Sequence, residues 1–268
     1  SFFSVCHADT AGMKPLTERS RVYKNVDGRE LRFDITQPGD WGSEVTDRPA
    51  VVFFHGGGWT GGKPGQFAEH SKQLARLGMV CFRVEYRLLD KKKKEPPAIC
   101  AEDASDAFRF IRGRAAEFGI DPNRIAAGGG SAGGHLAAYL GMMDDESRDG
   151  VSRKPNALLL FNPVYDNGPG GWGTQRVGDA YPEYSPAQNI SADDPPAIVF
   201  LGTEDKLIPV ETAKRFQEAM QDKQIRSDLE LFAGEGHGFF NADRAKGKHY
   251  RKTMDSTVAF LQSLKWIP

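Results

Sequence analysis

The 268-residue sequence has little of what marks several common classes of protein. Three cysteines are too few for a disulfide framework, and no apolar run approaches the roughly 18 residues that span a bilayer. The 35 basic and 36 acidic side chains leave a formal charge of −1, so no overall field would attract nucleic acid or an anionic membrane. We therefore expect a soluble protein with no nucleic-acid partner and no membrane span.

Motifs for metals and dinucleotides are missing as well. No spacing of histidine and cysteine typical of a metal site occurs, and no glycine-rich fingerprint is followed by the acidic residue that a dinucleotide fold requires. We expect no metal and no cofactor. Cys81 lies in an apolar, strand-like run and Cys100 in a helical pattern, so both are predicted to be buried free thiols.

The first residues, SFFSVCHAD, leave the origin of the N-terminus open. The small residues Cys6 and Ala8 resemble the end of a signal-peptide cleavage region, but no basic region precedes them and there is no initial methionine. We interpret residues 1–20 as a tail, either the remnant of a secretion signal or an artificial terminus, and residues 21–268 as a single domain. Export and a cytoplasmic location stay equally open.

Strand and helix patterns alternate along the chain. A hairpin is predicted at 22–38 around Asp27-Gly28, and further strands at 50–59, 79–88, 124–128, 157–166, 196–205 and 227–234. Helical patterns occupy 70–78, 98–119, 135–143, 211–221 and 251–267. This alternation predicts an α/β fold with a mostly parallel, doubly wound sheet and helices on both faces. Residues 167–186 are irregular, and we expect them to lie over the strand ends as a partial lid.

The stretch AAGGGSAGGHLAA at 126–138 places five glycines around Ser131, between a strand-like run and a helical pattern. It matches G-x-S-x-G, the nucleophile elbow, in which a strand turns sharply into a helix and exposes a serine hydroxyl. Gly129 and Gly133 are expected where strand and helix crowd together. A serine hydroxyl is a weak nucleophile at neutral pH, so it needs a base, an acid to orient the base, and donors for the developing oxyanion.

The base and the acid should lie beyond the carboxyl ends of later strands, in the chain order Ser, Asp/Glu, His. Asp205 follows the predicted strand at 196 and His237 follows the strand at 227, so we predict His237 as general base and Asp205 as the acid that orients it. Glu204 and Asp166 are the rival acids.

The other histidines are given structural roles. His55 is expected to hold a glycine loop by hydrogen bonding, and His135 to be a packed polar residue one helical turn beyond the serine. His70 and His249 are expected in exposed helical contexts, and His7 lies in the N-terminal tail.

The motif HGGGW at 55–59 supplies candidate donors for an oxyanion. Glycine lets backbone N–H groups approach a substrate closely, so we predict an oxyanion hole formed by Gly57, Gly58 and Ala132. Trp59 and Trp172 lie in loops that should border the site. They are candidates for stacking on a sugar or an aromatic acid, although Trp59 could equally pack the glycine loop.

Four motifs, HGGGW, DPNRIAAGGGSAGGHLAA, GTEDKLIP and GEGHGF, resemble the α/β-hydrolase esterases, in particular the branch with hormone-sensitive-lipase-like esterases and bacterial acetyl and acetylxylan esterases. The resemblance covers roughly residues 48–265. EYRLLDK at 85–91 stands where that branch often has D-Y-R-L-A-P-E, and a hairpin replaces its N-terminal helical cap. The resemblance thus implies an α/β-hydrolase fold with little or no cap domain and favours small acyl groups over long-chain lipids.

These motifs predict a serine carboxylesterase that hydrolyses short acyl esters through an acyl-enzyme, with acetyl groups on carbohydrate as the expected target. The substrate would be a small-molecule or carbohydrate ester. Alternatives are an arylformamidase-type amide hydrolase, a feruloyl esterase, and a non-catalytic binding module, against which the complete Ser, Asp and His set argues. The natural ester and the oligomeric state stay open.

Overall fold

The computed structural model describes residues 15–40, 46–145 and 147–268. Eight strands form one sheet in the order β1-β2-β4-β3-β5-β6-β7-β8. They are β1 Leu16–Val26, β2 Arg29–Pro38, β3 Arg48–Phe54, β4 Val80–Val84, β5 Ile120–Gly130, β6 Ala157–Phe161, β7 Ala197–Gly202 and β8 Ser227–Phe232. The pairs β1–β2 and β2–β4 are antiparallel, and all other neighbours are parallel.

Helices cover both faces of the sheet. They are α1 Ala68–Arg76, α2 Ala98–Gly113, α3 Ala115–Phe118, α4 Ala132–Met142, α5 Thr174–Val177, α6 Val210–Asp222 and α7 Lys248–Ser263. Helices α2, α4 and α6 bury apolar side chains such as Leu136 and Phe216 in one core, and α1 and α7 bury Leu74 and Met254 in a second core. The predicted α/β class, with a mostly parallel sheet and helices on both faces, is confirmed.

The burial of each strand explains how well its sequence predicts it. Every residue of β3 and of β7 is buried, because helices cover both faces of the central parallel strands. The edge strand β1 has a single buried residue and is rich in charge, so its apolar pattern is weak, and it begins at Leu16 rather than at residue 22. The start of β1 thus lies inside the segment interpreted as a tail. Residues 1–14, including Cys6 and His7, lie outside the described residues.

The two thiols of the described residues are buried and free, as predicted. Cys81 has no exposed surface, and burial raises the pKa of Cys100 to about 12. Both sulfurs therefore stay protonated and unreactive at neutral pH. None of the helices in the described ranges is long and apolar enough to cross a bilayer.

The irregular segment at 167–186 packs against the glycine loop and α4. It contains α5 and a 3₁₀ helix at Gly178–Glu183. The backbone oxygen of Tyr184 accepts a hydrogen bond from His135 of α4 at 2.7 Å, and the ring of Trp172 lies 5.1 Å from that of Trp59. The segment therefore borders the predicted site, and its action as a lid stays a prediction.

His70 is fully buried, and its expected exposure is wrong. The charged neighbours Glu69 and Lys72 face outward, whereas the helical period turns His70 inward toward Phe67 and Tyr250, whose ring centroids each lie 4.8 Å away. Neither ring nitrogen has a hydrogen-bond partner among the described residues. Burial lowers the pKa of His70 to about 3, so the imidazole is neutral in the folded protein.

This buried imidazole predicts a loss of stability in mild acid. The pKa of His70 is lowered to about 3, below the unfolded value near 6.5, so the unfolded chain takes up the proton first and stability falls as the pH drops below about 6.5. At pH 5 the loss from His70 is on the order of 2 kcal/mol. The free energy of unfolding in urea should be measured near pH 7.5 and pH 5 for the wild type and for His70→Leu, which is similar in volume. The drop between the two pH values should be smaller in His70→Leu by on the order of 2 kcal/mol. An equal drop in both proteins would contradict the prediction.

Candidate active site

The chain passes from β5 into α4 through a single strained residue, Ser131. Its backbone has φ 53° and ψ −117°, a conformation that side-chain-bearing residues rarely adopt. Three hydrogen bonds hold it there. The N–H of Ser131 donates to the oxygen of Phe161 at 3.0 Å, and its own oxygen accepts from the N–H of Val164 at 3.2 Å and of His135 at 3.0 Å. The surrounding backbone therefore enforces the turn predicted as a nucleophile elbow.

Two glycines allow α4 to approach the sheet this closely. A Cβ atom on Gly133 would lie 2.0 Å from the backbone oxygen of Phe54, and one on Gly129 would lie 2.4 Å from the carbonyl carbon of Gly133. Both neighbours are backbone atoms, which cannot turn aside as a flexible side chain would. The crowding expected at Gly129 and Gly133 is therefore present.

The structure brings Ser131, His237 and Asp205 into one hydrogen-bonded line. Nε2 of His237 lies 2.8 Å from Oγ of Ser131, and Nδ1 lies 2.7 Å from Oδ2 of Asp205. Because an ionised carboxylate can only accept, Nδ1 carries the hydrogen and donates a hydrogen bond to Oδ2 of Asp205. The lone pair of Nε2 then accepts from the serine hydroxyl, which is the arrangement that a base for Ser131 requires.

Asp205 is held in place by the loop that follows β7. Its side chain has no exposed surface, and Oδ1 accepts hydrogen bonds from the N–H groups of Leu207 at 2.8 Å and Ile208 at 3.1 Å. The backbone thus occupies one carboxylate oxygen and leaves the other for His237. This arrangement keeps a buried charge hydrogen-bonded on both oxygens.

The two rival acids point elsewhere. The side chain of Glu204 is 62% exposed and lies 3.6 Å from Nζ of Lys206. Asp166 accepts a hydrogen bond from Nε2 of Gln188 at 3.0 Å, within the segment after β6. Among the acids weighed from the sequence, Asp205 is the one that the structure places against His237.

The glycine loop after β3 lies directly against the elbow. A Cβ on Gly56 would lie 2.9 Å from the oxygen of Gly130 and 3.4 Å from Cβ of Ser131. His55 donates from Nδ1 to the oxygen of Gly56 at 2.7 Å, and the Tyr86 hydroxyl donates to the oxygen of His55 at 2.7 Å. Burial lowers the pKa of His55, so its ring stays neutral. His55 therefore braces the loop, as predicted.

The three backbone N–H groups predicted as oxyanion donors have no acceptor among the described residues. No group of the described residues accepts from the N–H of Gly57 or of Gly58. Ala132 is the first residue of α4, so its N–H has no acceptor within the helix. Gly57 has φ 123°, which a residue with a side chain would rarely adopt. None of these three N–H groups is thus engaged with the described part of the chain, and their role as an oxyanion hole stays a prediction.

The two tryptophans differ in exposure. Trp59 has no exposed surface, and its ring lies edge-on to that of His135 at 4.9 Å. A fully buried ring presents no face to a sugar, so Trp59 packs the glycine loop instead of stacking on substrate. Trp172 is half-buried, and its ring lies 3.5 Å from where a Cβ on Gly58 would be. It therefore borders the oxyanion loop.

Two further histidines of the described residues, His135 and His249, are not part of this line of hydrogen bonds. His135 is fully buried, donates from Nε2 to Tyr184, and has its pKa lowered by burial to about 4, so it is the packed polar residue that was predicted. His249 is half-buried and lies 2.7 Å from Glu235, not exposed as expected. In the ranges that the structure describes, no three His, Cys, Asp or Glu side chains come together as metal ligands.

Asn162 is a site residue that the sequence analysis did not single out. It follows β6, is 1% exposed, and accepts a hydrogen bond at Oδ1 from the N–H of Gly238, the neighbour of His237, at 2.8 Å. Its φ of 34° is a further strained backbone position at this edge of the sheet. The available signal was a polar residue placed directly after the apolar run ALLLF.

Two family models match the chain. The model described as BD-FAE matches residues 33–161, and the model described as the prolyl oligopeptidase family matches residues 98–264. Between them they reach from β2 into α7. Ser131 lies in both matches, and Asp205 and His237 lie in the second.

Curated relatives are esterases and a polysaccharide hydrolase. The chain is 30% identical over 260 residues to esterase LipC of Mycobacterium tuberculosis, and the matched region covers 85% of this chain and 61% of LipC. It is 27% identical over 214 residues to endo-1,4-beta-xylanase B of Butyrivibrio fibrisolvens, and that match covers 71% of this chain and 32% of the xylanase. The chain thus spans less than two thirds of the length of these two relatives.

Solved structures of Thermogutta terrifontis esterase 2 match almost the whole chain. The form phosphoramylated by tabun has a TM-score of 0.87 and 39% identity, covering 93% of this chain and 96% of that one. The propionate-bound form has a TM-score of 0.84 and 36% identity, covering 98% of each chain. Sequence and fold therefore agree over nearly the full length of both proteins. The chain belongs to the α/β-hydrolase family of esterases.

Proposed function

We propose that the chain is a serine carboxylesterase that acts on short acyl esters. The observation that carries this proposal is the line of hydrogen bonds from Oγ of Ser131 through His237 to the buried Asp205, at 2.8 and 2.7 Å. Ser131 is the nucleophile, His237 is the general base and then the general acid, and Asp205 orients His237. The oxyanion donors are the N–H groups of Gly57, Gly58 and Ala132.

The reaction proceeds in two halves. As Oγ of Ser131 attacks the ester carbonyl carbon, Nε2 of His237 takes the hydroxyl proton, and the carbonyl oxygen becomes an oxyanion. His237 then gives the proton to the departing alkoxide, which leaves an acyl-enzyme and an alcohol. In the second half His237 removes a proton from water, the hydroxide oxygen attacks the acyl carbon, and Oγ leaves with the proton as the carboxylic acid forms.

The free N–H groups stabilise charge that exists only in the tetrahedral intermediate. Each such donor lowers the barrier by about 3 kcal/mol in enzymes where one has been removed. The strained turn at Ser131 and the positive φ of Gly57 fix these donors before substrate arrives. No reorganisation is therefore needed during the reaction.

The bound acids of a similar structure support a short acyl chain. Thermogutta terrifontis esterase 2 has been solved with propionate and with butyrate bound. In this chain a cavity of about 20 Å³ lies between the loops after β6 and β7, and Val164, Trp172 and Leu207 are among its lining residues. A volume of this size holds about one water molecule, so it offers no ready space for a long acyl chain.

Acetyl groups on carbohydrate are the substrate that we propose within this class. The similarity to endo-1,4-beta-xylanase B of Butyrivibrio fibrisolvens supports it. Trp172 is half-buried and borders the glycine loop, which makes it the aromatic residue on which we propose that the sugar stacks.

A series of p-nitrophenyl esters tests the proposal. We expect kcat/KM to be highest for the acetate, propionate and butyrate and at least about tenfold lower for the octanoate, in line with the short acids bound in Thermogutta terrifontis esterase 2. Leu207→Ala should enlarge the cavity without touching the backbone N–H that holds Asp205, and it should raise the ratio of octanoate to acetate turnover. Steady-state kinetics with both proteins gives both results.

Paraoxon and natural substrates complete the test. Paraoxon should phosphorylate the protein at Ser131, as mass spectrometry of the digested protein would show, because Thermogutta terrifontis esterase 2 has been solved phosphorylated by it. Acetate release from acetylated xylan should exceed turnover of methyl ferulate and of N-formylkynurenine. Faster turnover of either competitor would replace the carbohydrate assignment. A protein that shows no ester hydrolysis and forms no paraoxon adduct would refute the esterase proposal.

A further inference from the structure

A chain of amide hydrogen bonds joins the glycine loop to the loop that carries His237. The N–H of Gly56 donates to Oε1 of Gln66 at 2.7 Å, and Nε2 of Gln66 donates to Oδ1 of Asn241 at 3.0 Å. Nδ2 of Asn241 donates to the oxygen of Gly238 at 2.9 Å, and the N–H of Gly238 donates to Oδ1 of Asn162 at 2.8 Å. Four consecutive bonds thus connect five residues from three parts of the sequence.

Both ends of this amide chain lie against the reacting groups. Gly56 precedes the oxyanion donor Gly57, and a Cβ on Gly56 would lie 3.4 Å from Cβ of Ser131. Gly238 directly follows His237. A displacement of either end would therefore move the oxyanion donors relative to the base.

The sheet itself does not couple these two loops. The glycine loop follows β3 and the histidine loop follows β8, and β5, β6 and β7 lie between them in the sheet. No ladder of backbone hydrogen bonds runs directly from one loop to the other. Asn162 supplies a fixed point midway, because it is buried after β6 and its N–H donates to the oxygen of Phe200 in β7 at 2.7 Å.

We propose that Gln66 and Asn241 are positioning residues that hold the oxyanion loop and His237 at a fixed separation. The inference rests on the proposed esterase function and adds two residues to it. Each side chain accepts one hydrogen bond at its amide oxygen and donates another from its NH₂ group. A carboxylate can only accept, and an apolar side chain can do neither, so neither can make both bonds at position 66 or at position 241.

Positioning residues of this kind affect the transition state more than substrate binding. A shift of about 1 Å between reacting groups can lower a rate by about 10²-fold, whereas contacts that bind the unreacted ester equally well before and after the shift change the rate little. Loss of Gln66 or Asn241 should therefore lower kcat and leave KM nearly unchanged.

The test compares Gln66→Met, Gln66→Glu and Asn241→Leu with the wild-type protein on p-nitrophenyl acetate. We expect each variant to lower kcat by about 10- to 100-fold with KM within about twofold, and with a thermal midpoint close to wild type. Gln66→Glu keeps the acceptor for Gly56 and the size of the side chain, so it tests the link to Asn241 even if Gln66→Met does not fold. Gln217→Met is the matched control, since Gln217 donates to Ser227 at 2.9 Å between α6 and β8, away from the site.

A double variant tests the continuity of the amide chain. If Gln66 and Asn241 act through one path, Gln66→Met with Asn241→Leu should lose no more activity than the more damaging single change. Multiplied losses would mean two independent roles and would overturn the inference.

Two other results would overturn the inference, and each shows whether the positioning role or the esterase proposal is at fault. Wild-type kcat in both Gln66 variants, or a loss of kcat matched by Gln217→Met, would refute the positioning role while the esterase proposal stands. A wild-type protein that neither hydrolyses the ester nor reacts with paraoxon would refute the esterase proposal, and the inference with it.

Discussion

Ser131→Ala is expected to lower kcat for p-nitrophenyl acetate by on the order of 10⁴- to 10⁶-fold. Oγ of Ser131 is the atom that lies 2.8 Å from Nε2 of His237, and alanine removes it without adding a clash. The fold should therefore survive, and a residual rate above that in water should come from the oxyanion donors. Steady-state rates, corrected for hydrolysis in buffer, together with a thermal melt, measure both effects.

Two comparisons make this result specific. Ser256→Ala removes a hydroxyl that bonds Glu230 at 2.9 Å outside the site, and it should keep wild-type kcat. Ser131→Ala combined with His237→Ala should be no slower than Ser131→Ala alone, because the two residues act as one unit. A Ser131→Ala protein that retains more than about a tenth of wild-type kcat would mean that another group is the nucleophile.

The fold was predictable where packing leaves a strong mark on the sequence. Strands β3 and β7 are covered on both faces, so their sequences are largely apolar, and a loop follows each strand in the chain. Ser131, Asp205 and His237 meet because each follows a parallel strand, and parallel strands end at one edge of the sheet. The G-x-S-x-G motif located Ser131, and the strand ends located the two residues that the structure brings into one line of hydrogen bonds with it.

Features that depend on contacts between distant parts of the chain were not predictable. His70 looks exposed beside Glu69 and Lys72, and only the aromatic rings packed around it from other elements show that it is buried. Gln66 and Asn241 lie 175 positions apart in unremarkable polar sequence. No local pattern indicates that their amides meet.

The tryptophans illustrate the same limit within one loop. Trp59 follows three glycines, and its sequence context is compatible both with stacking on substrate and with packing of the loop; its φ of 63° turns the side chain into the core beside His135. Positive φ at a residue other than glycine is a tertiary outcome that sequence rarely reveals. The half-buried Trp172 comes from the irregular segment whose path periodicity does not predict.

Gly133→Ala is expected to be the most damaging single-methyl change at the elbow. The new Cβ would lie 2.0 Å from the oxygen of Phe54 and 2.6 Å from that of His55, so α4 must move away from β3. Overpacking costs about 1–3 kcal/mol and occasionally more, and a contact with fixed backbone places this change at the upper end. Because α4 begins directly after Ser131, the same movement should misalign Oγ with His237 and lower kcat in whatever protein still folds. Urea unfolding and steady-state kinetics on the same preparation measure the two effects.

Gly65→Ala is the matched control, since a Cβ on Gly65 meets no atom within 4 Å. Its unfolding free energy should stay within about 0.5 kcal/mol of wild type, and its kcat should be unchanged. The contrast separates the general cost of replacing glycine from the specific cost of space at the elbow. A Gly133→Ala protein with a normal unfolding midpoint and normal kcat would show that α4 can recede from β3 without moving Ser131. The close approach of helix and strand would then not be what aims the hydroxyl at His237.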